Sequence, residues 1–383
     1  IIMNMKLIYI ANTRLPTEKA HGYQISKMCE SFALAGAEVE LWLPLRKNTT
    51  GKDIFDAYGL KHIFTVQYIK IPDFLRHGQI LQGPIYLVQT FLFLILLFFK
   101  KTPGAVIYTR NPEIAFLWTL KRSYVVFEDH GWPKNKKRLY RFLLRKVGGV
   151  VAITHCIARI YKNMKEAPPV FVAPDAVDLD LFTISHEMTA VRDKLGLPQD
   201  KKIIMYTGSF YLYAWKGVDV LLDAAEYLPE QYLVVLVGAD ESEYNEFNLR
   251  YRSPNIRIIA RKEHMEIPYY LKASDVLVLP NKKGNITSEC YTSPLKLFEY
   301  MASGVPIVAS RIASVQEILS DDNSCLVEAN DAQKLALGIK KVVASEEYSK
   351  KIAVQARIDV MDHTWLKRAE RVINFIQSQK CTE

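Results

Sequence analysis

The sequence has few cysteines: five in 383 residues, at positions 29, 156, 290, 325 and 381, with no C-x-x-C pair. An odd and scattered set suggests neither a zinc site nor a disulfide framework, so a reduced, cytoplasmic compartment is expected. No G-x-G-x-x-G opens the first helix, which leaves a nicotinamide cofactor without support. No segment repeats at solenoid or propeller spacing, and no tract is of low complexity. Residues 1–6 lack the basic start of a signal peptide, and Leu7–Ile10 is too short for its apolar core. Long hydrophobic runs are also scarce. Ile85–Phe99 is apolar except for Gln89 and Thr90, and Lys100-Lys101 follow it. As a helix it reaches about 22 Å, short of the roughly 30 Å of bilayer hydrocarbon, so a membrane span is not expected. It fits a helix buried between a sheet and its neighbours, or one that dips into a single leaflet.

What is present is an ordinary globular composition, 49% hydrophobic and 24% charged, with length enough for two domains. The formal net charge of +9 favours an anionic partner without choosing among nucleic acid, a membrane surface and a phosphorylated substrate.

Strand and helix patterns alternate along the chain. Lys6–Ile10 is a strand. After a polar loop, Ile25, Met28, Cys29, Phe32 and Ala33 mark one face of a helix entered at Gly22 and ended at Gly36, before a strand at Val39–Leu43. Strands follow at Ala105–Tyr108, Tyr124–Phe127 and Val150–Ile153. A loop rich in Pro and Asp, Ala167–Leu181, looks like a boundary. The alternation then restarts with strands at Ile203–Tyr206, Tyr232–Val237, Ile256–Ile259, Asp275–Leu279 and Val305–Ala309, and a last amphipathic helix at Trp365–Ser378. Two α/β domains of the doubly wound kind are expected, with ligand at the carboxyl ends of the strands.

Three local patterns could carry chemistry. In Ser293–Gly304, Ser293 suits an N-cap, Pro294 the first helical position and Gly304 the stop. Such a helix start offers free amides and a positive dipole end to a phosphate. Lys296 could add charge, and Glu299, one turn deeper, could accept hydrogen bonds from vicinal hydroxyls; the same pair also fits a solvated helix face. Second, Tyr206-Thr207-Gly208-Ser209 followed by Trp215-Lys216-Gly217 sets a lysine after a strand end, where it could meet a diphosphate or lie on a surface loop. Third, Glu128-Asp129-His130 follows a strand, and His130 could bind a substrate hydroxyl, act as a base or be structural.

Together these segments resemble the family 4 glycosyltransferases. The likeness rests on Y-T-G-S-F…W-K-G-V-D-V-L-L-D-A (206–224), A-S-D-V-L-V-L-P-N (273–281) and S-P-L-K-L-F-E-Y-M-A-S-G-V-P-I-V-A-S (293–310). The stretches 20–41, F-E-D-H (127–130) and P-D-A-V-D-L-D-L-F (174–182) stand in the same order. The resemblance implies a GT-B fold: two Rossmann-like domains facing across a cleft, residues 3–182 binding acceptor and 183–362 binding nucleotide sugar, with helix 363–383 packing back on the first. It implies a retaining transfer from a nucleotide-diphosphate sugar, used as co-substrate with no further cofactor and no metal. Glu299 matches the ribose-binding glutamate and Lys216 the diphosphate lysine. Ser293, Pro294, Leu295 and Lys296 would offer helix-start groups to the distal phosphate, with Gly208 and Ser209 beside them. Arg261 to Ile267 would cup the base, Gly22 would let backbone approach the donor, and His130 would meet the sugar. His21, Arg110 and Asp129 would face the acceptor.

Two positions depart from the family pattern. Tyr291 stands where a first glutamate is common, and Ser209 and Phe210 stand near the usual place of an arginine. Lys134, Lys136, Lys137, Arg138, Arg141, Arg145 and Lys146 are interleaved with Leu139, Tyr140, Phe142, Leu143 and Leu144. With residues 85–99, segment 134–146 suits either an anionic membrane surface at the inner face of the cell membrane or a solvated face over a core helix. No nucleic-acid motif accompanies the charge. A glycan or lipid-linked acceptor is expected. A GT-B nucleotide-sugar epimerase and an inactive binding subunit are the alternatives.

Overall fold

The computed structural model describes residues 5–46, 51–72, 82–135, 137–210, 214–251 and 253–381. The chain divides into two compact units: Ile1–Pro174 with Trp365–Glu383, and Asp175–Thr364.

The first unit runs β1 (Lys6–Ile10), α1 (Ala20–Leu34), β2 (Glu38–Leu45), α2 (Ile54–Tyr58) and β3 (Thr65–Lys70). It continues with α3 (Gln82–Phe98), β4 (Val106–Thr109), α4 (Pro112–Leu120), β5 (Val125–Asp129), α5 (Lys137–Leu144), β6 (Gly149–Ala152), α6 (His155–Lys162) and β7 (Val170–Val172). The strands form one sheet in the order β3-β2-β1-β4-β5-β6-β7, every pair parallel. Helices cover a parallel sheet on both faces, so its central strands are apolar on both sides. Accordingly every residue of β4, β5 and β6 is buried. The α1 stripe of Ile25, Met28, Cys29 and Phe32 is buried as its spacing predicts. The strand order reverses between β1 and β4, so the loops leaving their carboxyl ends splay apart and open a crevice.

The strand expected at Tyr124–Phe127 extends to Asp129, so Glu128 and Asp129 are strand residues rather than loop residues. The apolar run is neither fully buried nor loose. In α3, Gln89, Phe93 and Leu97 are buried at four-residue spacing, while Leu87, Val88, Phe91 and Phe98 are exposed. α5 exposes Leu139 and Phe142 beside Lys137, Arg138 and Arg141. Lys136 lies outside the described residues.

The second unit runs α7 (Met188–Leu195), β8 (Lys202–Thr207), α8 (Val218–Ala225), β9 (Tyr232–Ala239), α9 (Glu241–Arg250), β10 (Ile256–Ala260), α10 (Ile267–Lys272) and β11 (Val276–Leu279). After these come α11 (Ile286–Cys290), α12 (Leu295–Ser303), β12 (Ile307–Ser310), α13 (Ala313–Gln316), β13 (Cys325–Val327), α14 (Ala332–Ala344) and α15 (Glu346–Asp359). Its parallel sheet has the order β10-β9-β8-β11-β12-β13, with the reversal between β8 and β11.

The unit boundaries fall at 174/175 and 364/365 rather than at 182/183 and 362/363. The reason is packing: Val177 and Phe182 join the second unit's core, and Val177 bridges to Thr364. The last helix, α16 (Trp365–Lys380), belongs to the first unit. It lies along α1, with the rings of Trp365 and Tyr23 6.2 Å apart and Ala369, Val372 and Ile376 buried.

Candidate functional site

The second unit gathers an anion-binding arrangement at the carboxyl ends of its central strands. β8 ends in Thr207, and Gly208 follows at φ 123°, a conformation that favours glycine. A Cβ there would lie 2.7 Å from Lys296 Nζ, so the bare backbone is what admits the lysine head. Lys296 Nζ also stands 3.7 Å from the centre of the Tyr206 ring. From the other side Lys216 Nζ donates to Ser209 Oγ at 2.6 Å. Two ammonium groups therefore approach the same short turn. Each is harder to charge than a free lysine. Burial, with Glu243 opposing and Arg261 reinforcing, pushes Lys216 down to about 8. Burial and the nearby Lys216 hold Lys296 well below its ordinary value, against the pull of Glu299.

The helix carrying Lys296 starts later than its sequence suggests. α12 begins at Leu295, and Pro294, in extended conformation, is its N-cap. Ser293 does not cap it, because Ser293 Oγ accepts the backbone N–H of Asp175 at 2.9 Å. No side chain caps the helix, so the first-turn amides at Leu295 and Lys296 keep their anion-binding character. Tyr300, fully buried on α12, fixes the helix to β8: its hydroxyl accepts the N–H of Thr207 at 2.8 Å.

Glu299 is buried, not part of a solvated pair, and His264 Nε2 lies 2.8 Å from its Oε1. His264 falls inside the Arg261–Ile267 stretch expected to cup the base. Arg261 is exposed just beyond β10, and its N–H donates to Ala239 O at the end of β9. Ile267 opens α10 and is half-buried; Tyr291 ends α11 and is also half-buried. Two further glycines hold the loops close. A side chain on Gly217 would overlap Pro280 O, and one on Gly238 would come within 2.7 Å of Gly208 O. Gly238 was not singled out in the sequence, since nothing local marks its partner thirty residues back.

In the first unit the polar groups centre on Glu128, the first residue of the Glu128-Asp129-His130 triplet. Its carboxylate is fully buried. It accepts from Arg110 Nη2 at 2.7 Å and from the Tyr108 hydroxyl, lies 2.6 Å from His130 Nε2, and pairs with Arg368 Nη1 of α16 at 3.3 Å. Burial alone would raise its pKa, but Arg110 and Arg368 hold it well below the carboxylate range. An ionised Glu128 carries no proton, so the His130 nitrogen facing it is the N–H. Burial and Arg110 lower His130 to about 4, so the ring is neutral at pH 7 and its Nδ1 is an acceptor.

Other predicted residues of this unit have different surroundings. Asp129 is turned inward: it accepts from Tyr161 at 2.6 Å, Gly131 N–H at 2.8 Å and Tyr140 at 3.3 Å, and burial raises it to about 6. It shapes the loop after β5 instead of facing outward, because the strand's alternation points its carboxylate into the layer under α5 and α6. His21 lies 3.1 Å from Thr13 Oγ1, and burial and Arg110 lower it to about 4. Gly22 serves packing: a side chain there would overlap the Tyr58 hydroxyl and Thr17, and its N–H donates to Lys19 O.

A strand-end turn, two crowded ammonium groups, an uncapped helix start and a buried glutamate accompany a family match. Residues 187–359 match the family model described as glycosyl transferases group 1. That stretch covers most of the second unit. The chain is 28% identical over 228 residues to a D-inositol 3-phosphate glycosyltransferase from Xylanimonas cellulosilytica, covering 55% of this chain and 52% of that protein. It spans between about half and two thirds of the length of the first curated relatives it matches. Among solved structures, sucrose-phosphate synthase from Thermosynechococcus elongatus superposes with a TM-score of 0.75 at 17% identity, over 99% of this chain and 100% of that one. Anabaena HepE in complex with UDP and glucose gives a TM-score of 0.73 at 18% identity, over 98% and 100%. The fold is GT-B: two parallel-sheet α/β units of seven and six strands.

Proposed function

We propose that the chain is a retaining glycosyltransferase that moves a hexose or related sugar from a nucleotide-diphosphate donor to a glycan or lipid-linked acceptor. The observation that carries this reading is the pair Lys216 and Lys296, crowded at Gly208–Ser209 beside uncapped helix amides. Two mutually repelling, partly desolvated ammonium groups gain most from a dianionic ligand. The relatives named glycosyltransferases and the UDP-bound structural neighbour favour the same ligand class.

In this reading the diphosphate binds Lys216, Lys296 and the amides of Leu295 and Lys296. Glu299, oriented by His264, accepts the ribose hydroxyls. Arg261 to Ile267 borders the base: β10 lies two strands from β8, roughly 10 Å, a nucleoside's reach from its phosphates. The C–O bond to the departing phosphate breaks on the face where the acceptor oxygen attacks, and the phosphate oxygen takes the acceptor's proton. No protein nucleophile is needed. The protein supplies positioning and neutralises the charge that grows on the leaving group. Lysines and a helix start take the place of a divalent cation, so the reaction is metal-independent. Neutral His130, with an acceptor nitrogen, binds a sugar hydroxyl, and Arg110 and His21 border the acceptor. The basic α5 and the exposed face of α3 hold the enzyme peripherally at the inner face of the membrane, in cell-envelope polysaccharide synthesis.

Titration calorimetry with UDP and with GDP, followed by product analysis with the matching nucleotide sugar, tests the reading. Binding of one nucleotide and its loss in Glu299→Ala are expected. A folded protein that binds neither would sink it, and an isomerised free sugar without an acceptor would instead mark an epimerase.

A further inference from the structure

A cavity of about 700 Å³ opens in the first unit at the amino-terminal ends of β4 and β5. Arg110 and His130 stand beyond the opposite ends of these strands, roughly 15 Å away, so the cavity is separate from the groups discussed above. Its wall is cationic. Lys100, Lys101, Lys121, Arg122 and Lys380 line it, and among the described residues no carboxylate does.

These cations are not equivalent. Lys121 is committed to the fold: its Nζ donates to the carbonyls of Leu97, Phe98 and Lys100, closing the negative end of α3, and stands 4.0 Å from the Trp118 ring centre. Lys101, Arg122 and Lys380 are exposed, and among the described residues none of them forms an ion pair. Arg122, just past the Lys121 C-cap of α4, is held at φ 59°, in a conformation that normally falls to glycine or asparagine. A glycine would make this turn with less strain; what the arginine adds is a guanidinium at the cavity's edge.

A second feature meets the first at the same edge. Leu87, Phe91, Ile95 and Phe98 run along one exposed line of α3, flanked by Val88 and Phe99, and Phe98 and Phe99 also line the cavity. No helix among the described residues is long and apolar enough to cross a membrane. A free anion would satisfy the cations and leave the stripe in water. An apolar peptide would do the reverse. A molecule carrying phosphate and hydrocarbon side by side satisfies both.

We propose that this cavity receives the phosphate headgroup of an anionic glycerophospholipid, with α3 lying in the interface plane and its stripe among the upper acyl chains. The proposal deepens the peripheral-membrane reading by naming the surface and its ligand, and it does not depend on the nucleotide site.

The test is co-sedimentation of the full chain with vesicles of phosphatidylcholine alone and of phosphatidylcholine mixed with phosphatidylglycerol. Binding to the mixed vesicles only is expected. Replacing Lys101, Arg122 and Lys380 together by Gln should lower the partition coefficient by about two orders of magnitude, at roughly tenfold or less per charge. Arg122→Gly separates structure from binding: it should raise the melting temperature while weakening vesicle association. Equal binding to both vesicles, an unchanged partition in the triple variant, or full displacement by soluble glycerol 3-phosphate would each overturn the proposal. UDP calorimetry on the same samples reports the second unit independently, so failure here is distinguishable from failure of the glycosyltransferase reading.

Discussion

Replacing Lys216 by Met removes one of the two ammonium groups at the β8 turn while keeping most of the side chain's volume. An ammonium about 4 Å from a phosphate oxygen is worth about 4 kcal/mol at an effective dielectric near 20. Desolvation takes back part of this, and charge-assisted hydrogen bonds net about 1.5–3 kcal/mol. UDP affinity should therefore fall between about tenfold and 150-fold. The pH dependence is more discriminating. Without ligand, Lys216 is pushed down to about 8 by burial. A bound diphosphate favours its charged form and raises its pKa, so binding takes up a proton wherever free Lys216 is neutral. Affinity should be flat below about pH 8 with respect to this group and decline above it, by up to about tenfold per pH unit. Lys296 is shifted in the same direction and adds its own uptake. Calorimetry in buffers of differing ionisation enthalpy, below and above pH 8, measures the proton directly. Lys216→Met should bind more weakly and take up less proton. Unchanged affinity and unchanged uptake in that variant would refute the diphosphate assignment.

Arg368→Met should destabilise the first unit by about 3–5 kcal/mol, because it strips one cation from a buried carboxylate. In thermal denaturation this is a fall of about 10 °C. Glu128 has a folded pKa well below its ordinary 4.5, so its contribution is present above that value and lost as pH falls through the folded value. The variant's acid unfolding midpoint should accordingly move up. Gly208→Ala, with its φ of 123° and Lys296 Nζ in the way, should cost about 1–3 kcal/mol and weaken UDP binding in the same preparation. Sugar transfer should persist in excess EDTA, measured as product formed per unit time; abolition by chelation would disprove the lysine-for-metal argument.

Much of the fold was legible because it rests on local periodicity. The α1 stripe, the buried strands and the glycine stops at Gly36 and Gly304 follow from spacing alone. The candidate residues Lys216, Lys296 and Glu299 were found as pieces of motifs. What sequence could not convey is who claims a group first. Ser293 has the composition of an N-cap, yet the Asp175 N–H, 118 positions away, uses its hydroxyl. Glu128 and Asp129 read alike as acids near a strand end. Only the pleat and a partner 240 positions later make the first a charged hub and the second an inward brace. In α3, nearly every residue is apolar, so no period distinguishes the face that packs from the face that stays in solvent.

Because α16 returns to the first unit after all of residues 175–364, that unit is encoded in two separated pieces. During synthesis at 5–20 residues per second, roughly 10–40 s elapse between the ribosome releasing the first piece and Arg368. For that interval the Glu128 carboxylate lacks one of its counter-charges and the groove along α1 lacks its cover. The amino-terminal part must wait in an incomplete state, exposed to chaperones and proteases, until the last helix closes it.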